Sequence, residues 1–346
     1  VTYRSLAGAI VFPVLALVAA PLAGQTSSNG NAADAKPYVQ PRTADGQPDI
    51  SGYWATATYT PLERPQNVTK EYYTLEEVIA AEERAKEREE APTLGVHYDN
   101  SQFGLTRSQI TFARSLRTSL IVDPPDGRIP PQLAEAVERN AAIAAARKKR
   151  VQLDAVQNMM YDDRCIVQSG ILPPMYISGY LPNFQIIQSP GYVTILTERL
   201  HNARVIPLDG RPFPPANVRS GQGTSRGRWE GKTLVVETRN TNGRIQAAAN
   251  GQLSGQPFSG ATEDLRIIER FTRTGEDTIT LRFTVEDART WAQPWTAEVP
   301  VTKMEPEGHF FEMACAEGNH SVANMLRGAR LSEQQAAEAA RKSSSN

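Results

Sequence analysis

The sequence predicts a mainly β protein: an antiparallel β-barrel or strongly curved sheet with a partly helical N-terminal region. Three observations carry this. Past the middle of the chain, short runs of alternating apolar and polar residues follow one another, separated by Gly, Pro and Asp turns. The connections between most runs are too short for crossover helices, so neighbours run antiparallel. A sheet of this many strands removes its exposed edges by curling round.

Strands are expected at 184–188, 192–198, 204–208, 226–229, 233–238, 265–273, 278–286, 295–303 and 310–315. Residues 225–238 read as a hairpin turning at Glu230-Gly231-Lys232. Ser189-Pro190-Gly191 and Thr274-Gly275-Glu276-Asp277 are two more turns. Alternation assigns faces. Leu265, Ile267, Glu269 and Phe271 share one, and Ile279, Leu281, Phe283 and Val285 another, with Thr280, Arg282, Thr284 and Glu286 opposite. Two long loops, 210–224 and 240–260, are rich in Gly and Pro or in Gly, Asn and Gln. Loops of this kind on a β scaffold are where binding groups collect.

The N-terminal part divides by composition. Residues 1–24 read as an export signal: Arg4, an apolar run over 6–20, then Ala19-Ala20-Pro21-Leu22-Ala23-Gly24. The run is short for a bilayer and contains Pro13, and no other stretch is long and apolar enough to cross one, so no membrane span is expected in the mature chain. That places the protein in the periplasm or outside the cell. Residues 25–47 have linker composition and are expected to be disordered. Residues 48–160 supply strand and helical segments that pack on the barrel of 161–330, and 331–346 form a helical, fraying tail. Within 48–160, a helix over 75–90 has Thr74 as N-cap and Glu77 at the capping-box position. A strand over 117–122 stops at Asp123-Pro124-Pro125-Asp126-Gly127. A second, Ala-rich helix over 131–151 carries Arg147, Lys148, Lys149 and Arg150 near its end, where the dipole favours cations.

The chain of 346 residues holds 37 Lys and Arg against 38 Asp and Glu, a net charge of −1. No global field favours nucleic acid or an anionic membrane. In an exported protein the two cysteines, Cys165 and Cys315, are most simply one disulfide, closing a loop worth roughly 4–5 kcal/mol in the chain-entropy model. The alternative is two buried thiols. Neither has a Cys or His partner at ligand spacing, and the four histidines show no close pairing, so no metal is expected.

Several motifs stand out: Asp49-Ile50-Ser51-Gly52-Tyr53-Trp54, Ser119-Leu120-Ile121-Val122-Asp123-Pro124-Pro125-Asp126-Gly127-Arg128-Ile129-Pro130-Pro131, Ile206-Pro207-Leu208-Asp209-Gly210-Arg211-Pro212, Gly227-Arg228-Trp229-Glu230-Gly231, Phe283-Thr284-Val285-Glu286-Asp287 and Pro294-Trp295-Thr296-Ala297-Glu298. On these the chain resembles a family of secreted bacterial proteins, from about residue 48 to 330. The resemblance implies export and chain extent, and no reaction. Where the family pattern has Cys-His-Glu-Gly-Asn, this chain has Cys315-Ala316-Glu317-Gly318-Asn319, so a histidine there is dispensable or its role is lost. The Gly-x-Trp of Gly52-Tyr53-Trp54, matched again by Gly227-Arg228-Trp229, also resembles the first strand of lipocalin-like (calycin) barrels.

Candidate chemistry follows from faces and strand ends. Glu269, on an apolar face, would be a carboxylate of raised pKa suited to acid–base work if that face is the interior; its plainer reading is an ion pair with an arginine of another strand. Glu198 and His201, with Arg204 beyond, sit at a strand end where a proton relay or an ordinary polar turn fits equally. Glu237, on the face of Thr233 and Val235, and Asn240 after it would line a pocket or simply meet solvent. Trp229 and Trp295, with Trp291, would stack on a sugar or aromatic ligand, or pack the core and rim. The sequence therefore points to an exported, cofactor-free barrel that binds a largely apolar or glycosidic small molecule. The alternatives are a cofactor-free lyase, isomerase or hydrolase using a Glu/His pair in the same barrel, and an envelope protein with a filled interior.

Overall fold

The computed structural model describes residues 38–90, 113–148, 153–159, 163–166, 173, 183–198, 200–243, 258, 260–304, 310 and 312–344. The chain falls into two units, Val1–Ala35 and Lys36–Asn346, and the described residues all belong to the second. The export signal expected over 1–24 and the first part of the expected linker lie outside the described residues. The rest of that linker is built. Arg42 bridges to Pro48, and the Thr43 hydroxyl accepts from the Gln47 amide at 3.1 Å while Gly46 turns the chain at φ +81°. A turn closed by one hydroxyl and one glycine needs no apolar period, so composition alone reads it as linker.

Ten strands form one sheet: β1 (Gly52–Ala55), β2 (Ile121–Asp123), β3 (Asn183–Ser189), β4 (Tyr192–Thr197), β5 (Ala203–Pro207), β6 (Thr224–Glu230), β7 (Thr233–Arg239), β8 (Arg266–Arg273), β9 (Thr278–Glu286) and β10 (Trp295–Lys303). Their order is β5-β4-β3-β1-β10-β9-β8-β7-β6, with β2 added to β10, and every pairing between them is antiparallel. The end strands β5 and β6 then meet, packed but not hydrogen-bonded in a ladder, so the sheet is a nearly closed barrel. Gly227 on β6 permits this approach. A Cβ there would lie 2.6 Å from Leu208 Cδ2 and 2.8 Å from Ile206 Cγ2.

The barrel interior follows the alternation. Leu281, Phe283 and Val285 of β9, Ile267 and Phe271 of β8, Leu234 and Val236 of β7, and Phe184 and Ile186 of β3 are all buried, as are Trp54 and Trp295. The outer half-turns of β6 to β10 are charged instead. Arg228 and Arg270 flank Val235 in register and both donate to Glu230, so their stems cover Val235, which is fully buried.

Helix α1 (Leu75–Glu90) has its capping box: Glu77 donates its amide to Thr74 Oγ1 at 3.2 Å, and Thr74 donates its own to Glu77 Oε2 at 2.8 Å. Helix α2 (Ala134–Lys148) starts later than expected because Gln132 bridges to Trp291 and Pro131 accepts from the Ala292 amide. The strand expected from 117 begins only at Ile121, since Arg117 bridges to Tyr72 instead.

The strand expected over 310–315 is absent among the described residues. The Met313 amide meets Glu198 O at 3.3 Å, the Cys315 amide donates back to Met313 O at 2.9 Å, curling the segment, and Cys315 is bonded to Cys165 at 2.10 Å. The expected disulfide is thus formed. The C-terminal helix α3 (His320–Ser344) begins well before the expected tail and buries no residue. Its start is held by Asn319, which donates to Asp163 O at 2.9 Å, and Arg330 donates to Leu153 O and Asp154 O.

Candidate functional site

Strand parity decides which candidate side chains meet. On β5, Arg204 and Ile206 point inward; on β8, Ile267, Glu269, Phe271 and Arg273 do. Strands β5 and β8 are not neighbours in the sheet, so Arg204 reaches Glu269 across the interior. Arg204 Nη1 donates to Glu269 Oε2 at 2.7 Å and Nη2 to Oε1 at 3.1 Å. The pair is bidentate, with Glu269 wholly buried and Arg204 only 7% exposed. The structure therefore brings together two residues singled out separately in the sequence. Glu269 has an arginine, not a histidine, as its partner.

The rows of the sheet fix the depth of the pair. Trp295, Val285, Ile267, Thr238 and Ser225 lie in one inward row across β10, β9, β8, β7 and β6. Glu269 lies in the next row inward, with Ala297, Phe283, Val236 and Gly227. The outer row is at the end where β7 leaves and β8 arrives through the long connection after Asn240. There the Ser225 and Thr238 hydroxyls pair at 2.9 Å. The opposite end is closed by tight turns. Arg273 plugs it, donating to Asp49 O, Gly275 O and Glu276 O with its guanidinium 5.5 Å from the Trp54 ring.

Three buried donors on inward positions have no acceptor among the described residues: Arg204 Nε, Trp295 Nε1 and, nearer the tight-turn end, Trp229 Nε1. Trp295 is fully buried, stacked on Phe258 at 6.2 Å, with Phe283 and Trp291 edge-on at 5.9 and 6.1 Å. Unpaired buried donors are costly, at about 1–3 kcal/mol each, so such groups mark places where another acceptor belongs.

The remaining candidates lie elsewhere. The parity that sends Ile195 and Thr197 inward puts Glu198 on the outer face. There its carboxylate accepts from Asn183 Nδ2 at 2.8 Å, buried under the segment whose Met313 amide donates to Glu198 O. His201 follows Leu200 in the left-handed region, and its Nδ1 faces Glu312 at 3.5 Å. Among the described residues Glu198 pairs with Asn183 and His201 with Glu312, and neither faces Glu269.

Glu237 is on the outside of the barrel, shared between Arg239 and Arg266, and Arg266 also holds Glu286 at 2.7 Å. Burial pushes the Glu237 carboxyl up, but the donors from Arg266 and Arg239 outweigh it and hold the group below its ordinary value. Asn240, at φ +60°, donates Nδ2 to Pro214 O at 3.0 Å and so pins the long β5–β6 connection. With Arg219, Arg239, Glu263, Asp264 and Arg266 it lines an open cleft of about 350 Å³ on the barrel's outer side. The cleft has arginines and carboxylates in near balance. Trp229 lies on the inward parity of β6 near its turn, half-buried against the core.

The sequence reading missed Gly227, Arg273 and the Ser225–Thr238 pair. A glycine within a strand was the available signal for the first, because it marks a close backbone approach. The other two needed the register, which only the folded sheet supplies. Among the described residues no group of three or more His, Cys, Asp or Glu could hold a metal ion, and no helix is long and apolar enough to cross a membrane. No protein-family model, curated protein or solved structure matches this chain.

Proposed function

We propose that this protein is an exported small-molecule carrier or receptor of the lipocalin-like kind, which takes a largely apolar or glycosidic ligand at the long-loop end of its barrel. One observation carries the reading: the Arg204 guanidinium lies inside the barrel, both terminal nitrogens tied to Glu269, with Nε free to donate. Around it the wall is apolar and aromatic, and the few polar groups, Trp295 Nε1 and the Ser225–Thr238 hydroxyls, sit one row nearer the long loops. An apolar wall with a few converging donors is the usual make-up of a small-molecule site at a barrel mouth. A ligand oxygen entering at that end would satisfy the free donors.

The geometry favours binding over acid–base chemistry. Both Glu269 oxygens are engaged by Arg204 donors, and His201 faces Glu312 and not Glu269. The test is native mass spectrometry of the protein purified from its own cell envelope, beside Arg204→Met and Trp295→Phe. A co-purified small molecule that both substitutions reduce is the expected result. Protein that is bare in every preparation, and that binds no apolar or glycosidic probe by tryptophan quenching, would sink the reading.

A further inference from the structure

Three arginines among the described residues are buried to the same degree, each 7% exposed: Arg64, Arg204 and Arg273. Two of them have counterparts for their terminal nitrogens. Arg204 is matched by Glu269, and Arg273 donates to three backbone carbonyls with its guanidinium over Trp54. Arg64 differs. Its Nε donates to Thr118 Oγ1 at 3.0 Å, and among the described residues its Nη1 and Nη2 meet neither a carboxylate nor any other acceptor. Neither terminal nitrogen is sealed in the interior, so both are open to a molecule arriving from solvent. A guanidinium is always charged, and one this buried is ordinarily paired.

The motif of residues 119–131 builds the surround. Leu120 and Ile121 donate their amides to Pro61 O and Leu62 O, and Arg64 donates its own to Gly127 O at 2.8 Å. That lays Arg64 against the turn in which Gly127 donates to Pro124 O. Gly127 stands at φ +71°, and a Cβ on it would lie 2.4 Å from Ser119 Oγ and 3.1 Å from Arg64 Nη2. Only glycine lets the guanidinium lie this close to the turn. Its direction is fixed as well. Thr118 Oγ1 donates onward to Lys70 O at 2.8 Å and so accepts from Arg64 Nε. The charged neighbours are already matched, Lys70 with Glu77 and Arg117 with Glu71, while Glu63 and Asp126 accept from the Ile129 and Arg128 amides.

We propose that Arg64 anchors a site for the carboxylate of a small organic acid. The site lies on the N-terminal segment and does not depend on the ligand of the barrel. With Nε committed to Thr118, the free edge of the guanidinium is the Nη1–Nη2 fork, which matches the two oxygens of one carboxylate. Charge sets the class. One unmatched cation takes one singly charged anion. A phosphate dianion would bring a second charge that Lys70 and Arg117, both already paired, do not neutralise. The fork is held in place before any ligand arrives, so little ordering is lost on binding.

Titration of sodium acetate into the full chain, read by nuclear magnetic resonance at the Arg64 Nε–H and the Gly127 amide, tests this. Sodium chloride at equal ionic strength is the control, and sodium phosphate is the comparison. The expected result is a saturable shift with acetate that chloride does not reproduce and that phosphate gives only at higher concentration. Arg64→Lys keeps the charge without the fork and should weaken acetate by about tenfold, the value of one charge-assisted hydrogen bond. Arg64→Met should abolish the shift at Gly127. Thermal melts show whether each variant is folded, and the wild-type titration decides even where neither is. No saturable acetate shift in the wild type overturns the proposal. So does an equal response to chloride or phosphate, or a folded Arg64→Met protein that still responds to acetate.

Discussion

Replacing Arg204 with methionine removes one half of a pair whose other half has no route to water. Glu269 is fully buried, and its two oxygens receive Arg204 Nη1 and Nη2 at 2.7 and 3.1 Å. At about 4 Å between charge centres and an effective dielectric near 20, the attraction is about 4 kcal/mol. Removing one partner of such a pair typically costs about 3–5 kcal/mol, because the remaining charge stays buried and uncompensated. Methionine fills most of the arginine's volume, so the loss is mainly electrostatic. The double variant Arg204→Met/Glu269→Met removes both charges and should lie within about 2 kcal/mol of wild type, since apolar replacements of buried pairs are commonly neutral or better. Urea unfolding followed by tryptophan fluorescence and circular dichroism measures all three proteins, with an unchanged slope required for comparison. The single variant should also melt roughly 6–20 °C lower, at about 2–4 °C per kcal/mol for a chain of this size. A single variant that loses less than about 1 kcal/mol, the value of a solvated ion pair, would mean that Arg204 and Glu269 do not meet inside a closed wall.

Three further outcomes are expected. Cys165→Ser/Cys315→Ser removes a loop closure spanning a sequence separation of 150 and should cost about 5 kcal/mol in the chain-entropy model, read as a lower urea midpoint that reduction of the wild type reproduces. Gly227→Val puts side-chain atoms where Leu208 and Ile206 already rest, and should destabilise by about 1–3 kcal/mol through overpacking at the β5–β6 seam, read by the same unfolding assay. Glu237 has a lowered folded-state pKa, so it adds stability above the ordinary glutamate value of about 4.3 and loses that contribution as pH falls through its folded value. Glu237→Gln should therefore flatten the wild type's acid-side fall in urea midpoint. Parallel curves for the two proteins would contradict the assignment.

The barrel was legible in the sequence because two-residue alternation survives folding unchanged. Strand 278–286 was readable residue for residue, as Ile279, Leu281, Phe283 and Val285 all turned inward. The local helix signal at Thr74 and Glu77 was equally direct, since a capping box needs only four consecutive residues. What could not be read was anything set by register. Alternation placed Glu269 on an apolar face, but only the closing of the sheet brought Arg204 across to it. The same rule put Glu198 on the outer face, one residue beyond the inward Thr197, which separated it from Glu269. Residues 310–315 look like a strand by composition, but among the described residues the backbone contact with the sheet is a single one, Met313 amide to Glu198 O, after which the chain curls back at Cys315. Helix α3 does carry a stripe in its first turns, Val322, Met325, Leu326 and Ala329, half-buried at helical spacing, so its early start was a readable signal that the sequence reading missed.

Closure of the sheet is what gives the chain an interior at all, and it rests on the meeting of its two end strands. Nuclear Overhauser contacts between the Gly227 α-protons and the methyl groups of Ile206 and Leu208 measure this directly, in protein with those methyls labelled. Strong contacts, alongside the ordinary ladder contacts of β4 with β5 and of β6 with β7, are the expected result. Ladder contacts without any signal across the seam would mean an open sheet, and Arg204 would then have no enclosed space in which to hold Glu269.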